Sequence, residues 1–269
     1  MDKALTSFVG TANPKARTYE GKGANSPEAA LRAYLRAYRD MDVDAIVSAC
    51  AVESYAEHYD LEELVVQNRL FSTNMVANVN GVIIPNDLPL AKGLNAAFVA
   101  SGIRNAIYNG VLNFAFFEAS IARQAQDGSI NFVEEQDYVE FFAALADTEK
   151  LQTISSLKIE KILTEADFVS YSPKYSDAAN QRAMNSAADR YGGKLADVAA
   201  VVSIGGAPYL FCAYAVEYDG SGRWYIIPNA SYFLGFLGAF GYFGIVGGPI
   251  PISEDTMDAE AVRWLRSLK

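Results

Sequence analysis

Histidine is nearly absent from this chain: His58 is the only one in 269 residues. A single imidazole excludes every site built on two, among them HExxH zinc centres, His-rich metal sites and His–His acid/base pairs. Cysteine is almost as scarce. Cys50 and Cys212 cannot furnish a zinc ribbon or a disulfide-dense scaffold. Bases are outnumbered, 22 Lys and Arg against 32 Asp and Glu, for a formal charge of −10. That balance lacks the basic footprint of non-specific nucleic-acid binding. Phosphate-loop chemistry is missing too. No Lys-Ser/Thr follows the glycine-rich run near the C-terminal end, and Gly220-x-Gly222 lacks the rest of a dinucleotide fingerprint. The acid run Glu134-Glu135 with Asp137 has neither the alternating oxygen ligands nor the Gly turn of a calcium loop. No cofactor and no metal is expected.

What is present is a folding chain, 51% hydrophobic and 20% charged. Residues 1–25 read as a flexible tail, punctuated by Gly10, Asn13-Pro14, Gly21, Gly23 and Asn25 with no apolar period. The chain as given shows no basic n-region leading into an apolar h-region. That points to the cytoplasm, while the linker-like tail also suits an exported or membrane-anchored parent protein. Residues 26–269 read as one α+β domain.

Its opening is strongly patterned. Ser26 as N-cap, Pro27 at the first helical position and Glu28 in the first turn start a helix. Leu31, Tyr34, Leu35 and Tyr38 follow at i, i+3, i+4, i+7, with Arg32, Arg36 and Arg39 opposite. Asp40-Met41-Asp42 breaks the pattern. A short helix carries Val43, Ile46, Val47 and Cys50 on one face, and Asp60 with Glu63 opens a third through a capping box. Toward the other end, Val198–Ile204, Tyr209–Tyr218 and Arg223–Ile227 read as three successive strands, the last two joined by an Asp219-Gly220-Ser221-Gly222 turn.

The capped helix, the Asp-Met-Asp-Val-Asp turn, the second short helix and a closing strand with Trp224 together resemble the nuclear transport factor two-like (SnoaL-like) superfamily, over about residues 26–60 and 196–228. The run Ser-Pro-Glu-Ala-Ala…Tyr-Leu is also similar to a group of uncharacterised bacterial proteins. The resemblance implies a curved antiparallel sheet packed on N-terminal helices around a cone-shaped pocket. Members of that superfamily include dehydratases, isomerases, ligand binders and catalytically silent modules, so the fold does not select a function.

The middle departs from that pattern. Asn80-Gly81 and Pro85–Pro89 mark turns. A long helix is expected over Ala91–Arg123 and a shorter one over Gln136–Leu145, giving a mostly helical insertion over about 66–150. Leu157–Leu163 reads as a strand. A helical excursion fills 165–195, with Ser176–Tyr191 in period and Gly192-Gly193 as its stop. A docking helix is expected over 253–269, starting at Ser253 and presenting Met257, Ala261, Trp264, Leu265 and Leu268 to the core.

Two stretches carry almost no charge. Gly93–Phe117 has only Arg104; Ser101, Asn105, Asn109 and Asn113 form a polar row beside a small-residue face of Gly102, Ala106 and Gly110. It reads as a buried helix with internally satisfied amides, as the polar wall of a pocket, or as a membrane segment burdened by its Asn row. Ile226–Ser253 sets a Gly period (235, 238, 241, 244, 247) against a Phe stripe at 233, 236, 240 and 243. Each interior Gly costs a helix roughly 1 kcal/mol, so this segment is either a buried helix or irregular chain laid on the sheet. It serves as a core plug or, over Ser231–Val246, as a partner, oligomer or membrane contact; with Gly93–Phe117 it would make a membrane-associated or oligomeric protein.

Chemistry is thin. The best local cluster is Glu53, Tyr55, Glu57, His58, Tyr59 and Asp60, because a carboxylate can orient an imidazole for proton transfer. His58 is the candidate acid/base of a cofactor-free lyase or isomerase, although its place before an N-cap suits a surface loop. Cys50 and Cys212 read as free buried thiols. The leading expectation is a non-enzymatic binding or interaction module for a small apolar ligand or protein partner. Its candidate contacts are Asn105, Asn109, Asn113, Tyr209, Phe211, Phe236 and Phe240. Strand alternation places Tyr209 and Phe211 on one face and Tyr214 on the other.

Overall fold

Ser26 caps the first helix as its residue type predicts: its hydroxyl accepts from Ala29 N at 3.2 Å, Pro27 occupies N1, and α1 runs over Pro27–Arg39. Leu31, Tyr34, Leu35 and Tyr38 are buried and Arg32 and Arg36 exposed, so the apolar stripe is the packing face. Met41 in the left-handed region turns the chain, and the Asp42 carboxylate caps α2 (Val43–Ser48) through Ala45 N at 2.9 Å. A third helix, α3 (Glu53–His58), occupies the segment that carries the His58 cluster. The structure is a computed structural model describing residues 18–59, 89–116, 122–124, 130–132, 151–228, 231–239 and 247–268. The expected helices at Asp60 and Gln136–Leu145, the turns at 80–88, and Phe240 and Phe243 lie outside these residues.

Helix α4 spans Pro89–Phe116, ending earlier than the expected Arg123. Ala122–Gln124 is instead a short strand, β1, antiparallel to β2 (Ile130–Phe132). The Asp-Gly pair at 127–128 is the sequence signal for that hairpin. The insertion is therefore not wholly helical. The expected strand near Leu157 is β3 (Lys158–Leu163), followed by α5 (Glu165–Tyr171), a 3₁₀ turn over Pro173–Ser176 and α6 (Ala178–Tyr191). Helix α6 starts two residues later than expected, because Pro173–Ser176 winds as 3₁₀, and it stops at Gly192 in the left-handed conformation. The strands follow: β4 (Lys194–Ile204), β5 (Ala207–Glu217) and β6 (Trp224–Ile227). After a 3₁₀ turn over Phe233–Leu237 comes the two-residue strand β7 (Ile250–Pro251), and α7 (Ala259–Ser267) closes the description.

The main sheet is antiparallel, ordered β3-β4-β5-β6, with β7 pairing β5 on Tyr209–Leu210. The fold is α+β, as expected. The β4–β5 register is unbroken from Ile204↔Ala207 to Lys194↔Glu217, so Tyr209 and Phe211 share one face and Tyr214 takes the other. On the first face, α1 crosses the sheet. Tyr38 meets Phe211 edge-on at 5.1 Å, and Phe114 of α4 meets Tyr209 at 5.5 Å. The second face buries Ala199, Val201, Leu210 and Cys212 under Phe168, Phe233, Leu237 and Leu265.

Within the described part of the Gly-rich run, Phe233–Leu237 is a 3₁₀ turn halted by left-handed Gly238, with Phe233 buried against the sheet and Phe236 half-buried. In that part irregular chain prevails over α-helix. The docking helix also starts later than expected, at Ala259 rather than Ser253, because the Thr256 hydroxyl folds back onto the Pro251 and Ser253 carbonyls and forms a tight turn instead. Two further contacts lock the return of the chain. Tyr34 Oη donates to Gly247 O at 2.5 Å, and a methyl on Gly110 of α4 would stand 2.8 Å from Gly248 Cα. Among the described residues no helix is long and apolar enough to cross a membrane.

Candidate functional site

β4 outruns its neighbour. Strand β3 pairs with Ser203 back to Ala199 and leaves the sheet after Leu163, where a Thr164–Asp167 capping box starts α5. Residues 194–198 of β4 keep β5 on one side and, among the described residues, have no strand on the other. The tight Gly205-Gly206 turn makes Ile204↔Ala207 the hydrogen-bonded pair that closes the hairpin, and main-chain direction alternates from there. Val202, Ala200, Val198 and Ala196 therefore bond toward β5. Ser203, Val201 and Ala199 bond toward β3, and beyond them Asp197 and Leu195 direct N–H and C=O to the open edge. Among the described residues those groups have no main-chain partner.

The open edge is the floor of a cleft of about 430 Å³. Pro27 and Glu28 of α1 flank it, Gln181, Met184, Asn185 and Ala188 of α6 flank it elsewhere, and Thr164–Ala166 line it as well. The lining carries two acids besides Asp197. Glu28 and Glu165 each sit in the first turn of a helix, where the dipole favours a carboxylate. Neither makes an ion pair among the described residues. The one base, Lys194, lies over the Trp224 ring, 5.6 Å from its centroid.

Asp197 is the buried charge-bearing group of the site, 6% exposed. Its carboxylate accepts from Ser231 Oγ at 2.8 Å, Phe233 N at 2.6 Å and Tyr175 Oη at 3.3 Å. These bonds tie the strand to the Gly-rich strap and to the 3₁₀ turn before α6. Burial pushes the carboxyl up to about 7, against the pull of its donors, the Tyr232 N–H among them, which favour the charged form. Burial and the neighbouring carboxylate also raise the Tyr175 phenol. Both thiols are raised by burial, which makes Cys50 and Cys212 core residues rather than nucleophiles.

The residues singled out from sequence lie elsewhere. His58 is at the end of α3, where Nδ1 donates to the Ser54 carbonyl at 2.8 Å and Nε2 stands 3.2–3.3 Å from the Asp219 carboxylate oxygens. Its ring stacks on Tyr218 at 4.6 Å, a quarter exposed, outside the Asp197 cleft. The carboxylate within reach belongs to a surface turn. Asn105 and Asn109 face outward on α4, with Ser101, so they neither line this cleft nor sit inside a buried helix. The α4 residues on the packed side are Val99, Ile103, Ile107 and Gly110. The side chain of Asn113, like Phe240, lies outside the description. Tyr209 and Phe211 are fully packed core residues, and Phe236 packs on Tyr175 and Tyr232. The face of the sheet that carries Tyr209 and Phe211 is packed against α1 and α4 through Tyr38 and Phe114.

Sequence reasoning missed Asp197, Tyr175, Ser231, Glu28 and Glu165 as a group. A signal for the first was present: Asp197 is the lone charge in Leu195–Val202, an apolar run that folds as strand. A carboxylate placed there must find donors or change its protonation.

No protein-family model matches the chain, and no curated protein matches it either. Among solved structures it is similar to a cystatin-like protein from Ruminococcus gnavus, at 14% identity and a TM-score of 0.35 over 73% of this chain. The match spans 38% of that protein's own length.

Proposed function

We propose that this chain is a non-enzymatic binding module whose ligand sits in the cleft along the free edge of β4. One observation carries the reading: a cleft of about 430 Å³ floored by main-chain groups that nothing in the described fold uses. Small-ligand pockets span about 300–1,000 Å³ and combine apolar walls with a few placed polar groups. Met184, Ala188, Leu195 and Ala196 supply the walls here, and Asp197, Asn185 and Gln181 the polar groups. Within this reading the architecture is of the nuclear transport factor two-like type, with the capped α1 laid across a curved sheet. The usual central pocket is packed solid, and the binding position is displaced to the edge.

The test is a protein-observed NMR titration with N-methylacetamide and p-cresol as probes. Both are expected to shift the amide resonances of Leu195 and Asp197. Ala188→Trp, which fills the cleft, is expected to abolish those shifts. Shifts that persist in the filled variant, or no shift from either probe, overturn the reading.

A further inference from the structure

We infer that the ligand is an extended peptide segment bearing lysine or arginine, which adds as a strand to residues 194–198 of β4. The inference rests on the binding reading above and names its ligand class. Three independent features lead to it.

The first is main-chain satisfaction. Buried N–H and C=O groups are almost always paired. Asp197 lines the cleft, and its edge-facing groups have no main-chain partner among the described residues. An added strand supplies that partner in the same way as β3 does at Ala199, Val201 and Ser203. The second is shape. Five residues of open edge span about 17 Å. They line one cleft together with the start of α1, the flank of α6 and the first residues of α5, which begins where β3 departs. A bound segment of about five extended residues matches that length of edge. The third is charge. Glu28 and Glu165 line the cleft without ion-pair partners among the described residues, and Lys194 is directed to Trp224. A cationic side chain reaching out from the added strand meets those carboxylates.

Strand addition has a signature that side-chain binding lacks. Only alternate amides of the peptide face β4, because only Leu195 and Asp197 present groups to it. The probe is a capped pentapeptide of alternating Val and Lys. It is expected to shift the Leu195 and Asp197 amides on titration into the full chain. N-methylation of alternate peptide amides in one phase is expected to weaken binding at least tenfold, and methylation in the other phase to leave it within about twofold. A Val/Glu pentapeptide and the double variant Glu28→Gln/Glu165→Gln are each expected to lose at least tenfold. Leu195→Pro removes one edge donor without touching the β4–β5 ladder and is expected to weaken binding likewise. The methylated peptides keep the test decisive if that variant fails to fold.

Equal binding in both methylation phases overturns the inference, as does tighter binding of the acidic peptide. Binding of N-methylacetamide and p-cresol in the cleft, with no response to the lysine peptide, overturns it while leaving the binding module standing. Silence from every probe removes both.

Discussion

Asp197 couples the site to pH through a single proton. In the unfolded chain an aspartate titrates near 3.9; in the fold, burial raises it to about 7. Between those values the native state binds a proton that the unfolded state has released, so stability falls as pH rises across the window. Below about 4 the contribution is fully present, and above about 7 it is gone. Three units correspond to on the order of 4 kcal/mol. Asp197→Asn keeps an amide that accepts from Phe233 N and donates to Ser231 Oγ, and it has nothing to titrate. The difference in unfolding free energy between wild type and Asp197→Asn, measured in urea from pH 4 to 8, is expected to move against the wild type by that order as pH rises. A constant difference across the range would show that Asp197 does not titrate there. This behaviour was only half legible in the sequence. A solitary acid in an apolar strand announces a desolvated carboxyl, but its donors come from Tyr175, Ser231, Tyr232 and Phe233, up to 36 residues away. Nothing in local spacing brings them together.

Helix α4 contains its own control for glycine. Gly93 has nothing within 4 Å of the position a Cβ would take, whereas at Gly110 that atom would stand 2.8 Å from the backbone of Gly248. Both are helical, so propensity alone favours alanine by about 1 kcal/mol at each. Gly93→Ala is expected to raise Tm. Gly110→Ala is expected to lower it, because overpacking against backbone costs about 1–3 kcal/mol, with about 2–4 °C of Tm per kcal/mol in a domain of this size. Thermal unfolding of the two single variants reads the signs directly. A rise for both would mean that the strap yields at Gly248. At this scale the sequence was informative wherever the cue was local. Ser26-Pro27, Asp42, Gly192 and the turn after Tyr218 all placed their elements correctly. The small-residue face of α4 was visible too, and Gly110 uses it as a close-approach point. The misplaced boundaries are those set by competition. Thr256 forms a turn that displaces the start of α7, and 3₁₀ winding at Pro173–Ser176 delays α6. The free edge of β4 belongs to this group as well, since it exists only because β3 stops at Leu163.

Across the whole molecule the formal charge of −10 becomes a kinetic quantity. An acidic protein with an acid-lined cleft steers cations toward it, and salt screens that field over a length of about 30 Å at 0.01 M and about 3 Å at 1 M. Stopped-flow association of the lysine pentapeptide is expected to slow by tenfold or more between those salt concentrations, with dissociation changing far less. Dissociation that carries most of the salt dependence would place the attraction in local pairs and not in the global field. In the sequence the charge served only to exclude a nucleic-acid footprint. Its functional weight depends on where two of the 32 acids stand, Glu28 and Glu165 beside an open strand, and composition does not contain that information.

The bond from Tyr34 Oη to the Gly247 carbonyl joins residues 213 apart in the chain. Ribosomes deliver the chain from the N-terminus, and closing so long a loop is entropically expensive until the contacts it enables are made. Helix α1 can wind as soon as it emerges, but its buried tyrosine has no acceptor until some two hundred further residues have been synthesised. For most of the protein's birth that helix has neither sheet nor acceptor: β3 to β6 all lie between Lys158 and Ile227, and Gly247 follows them.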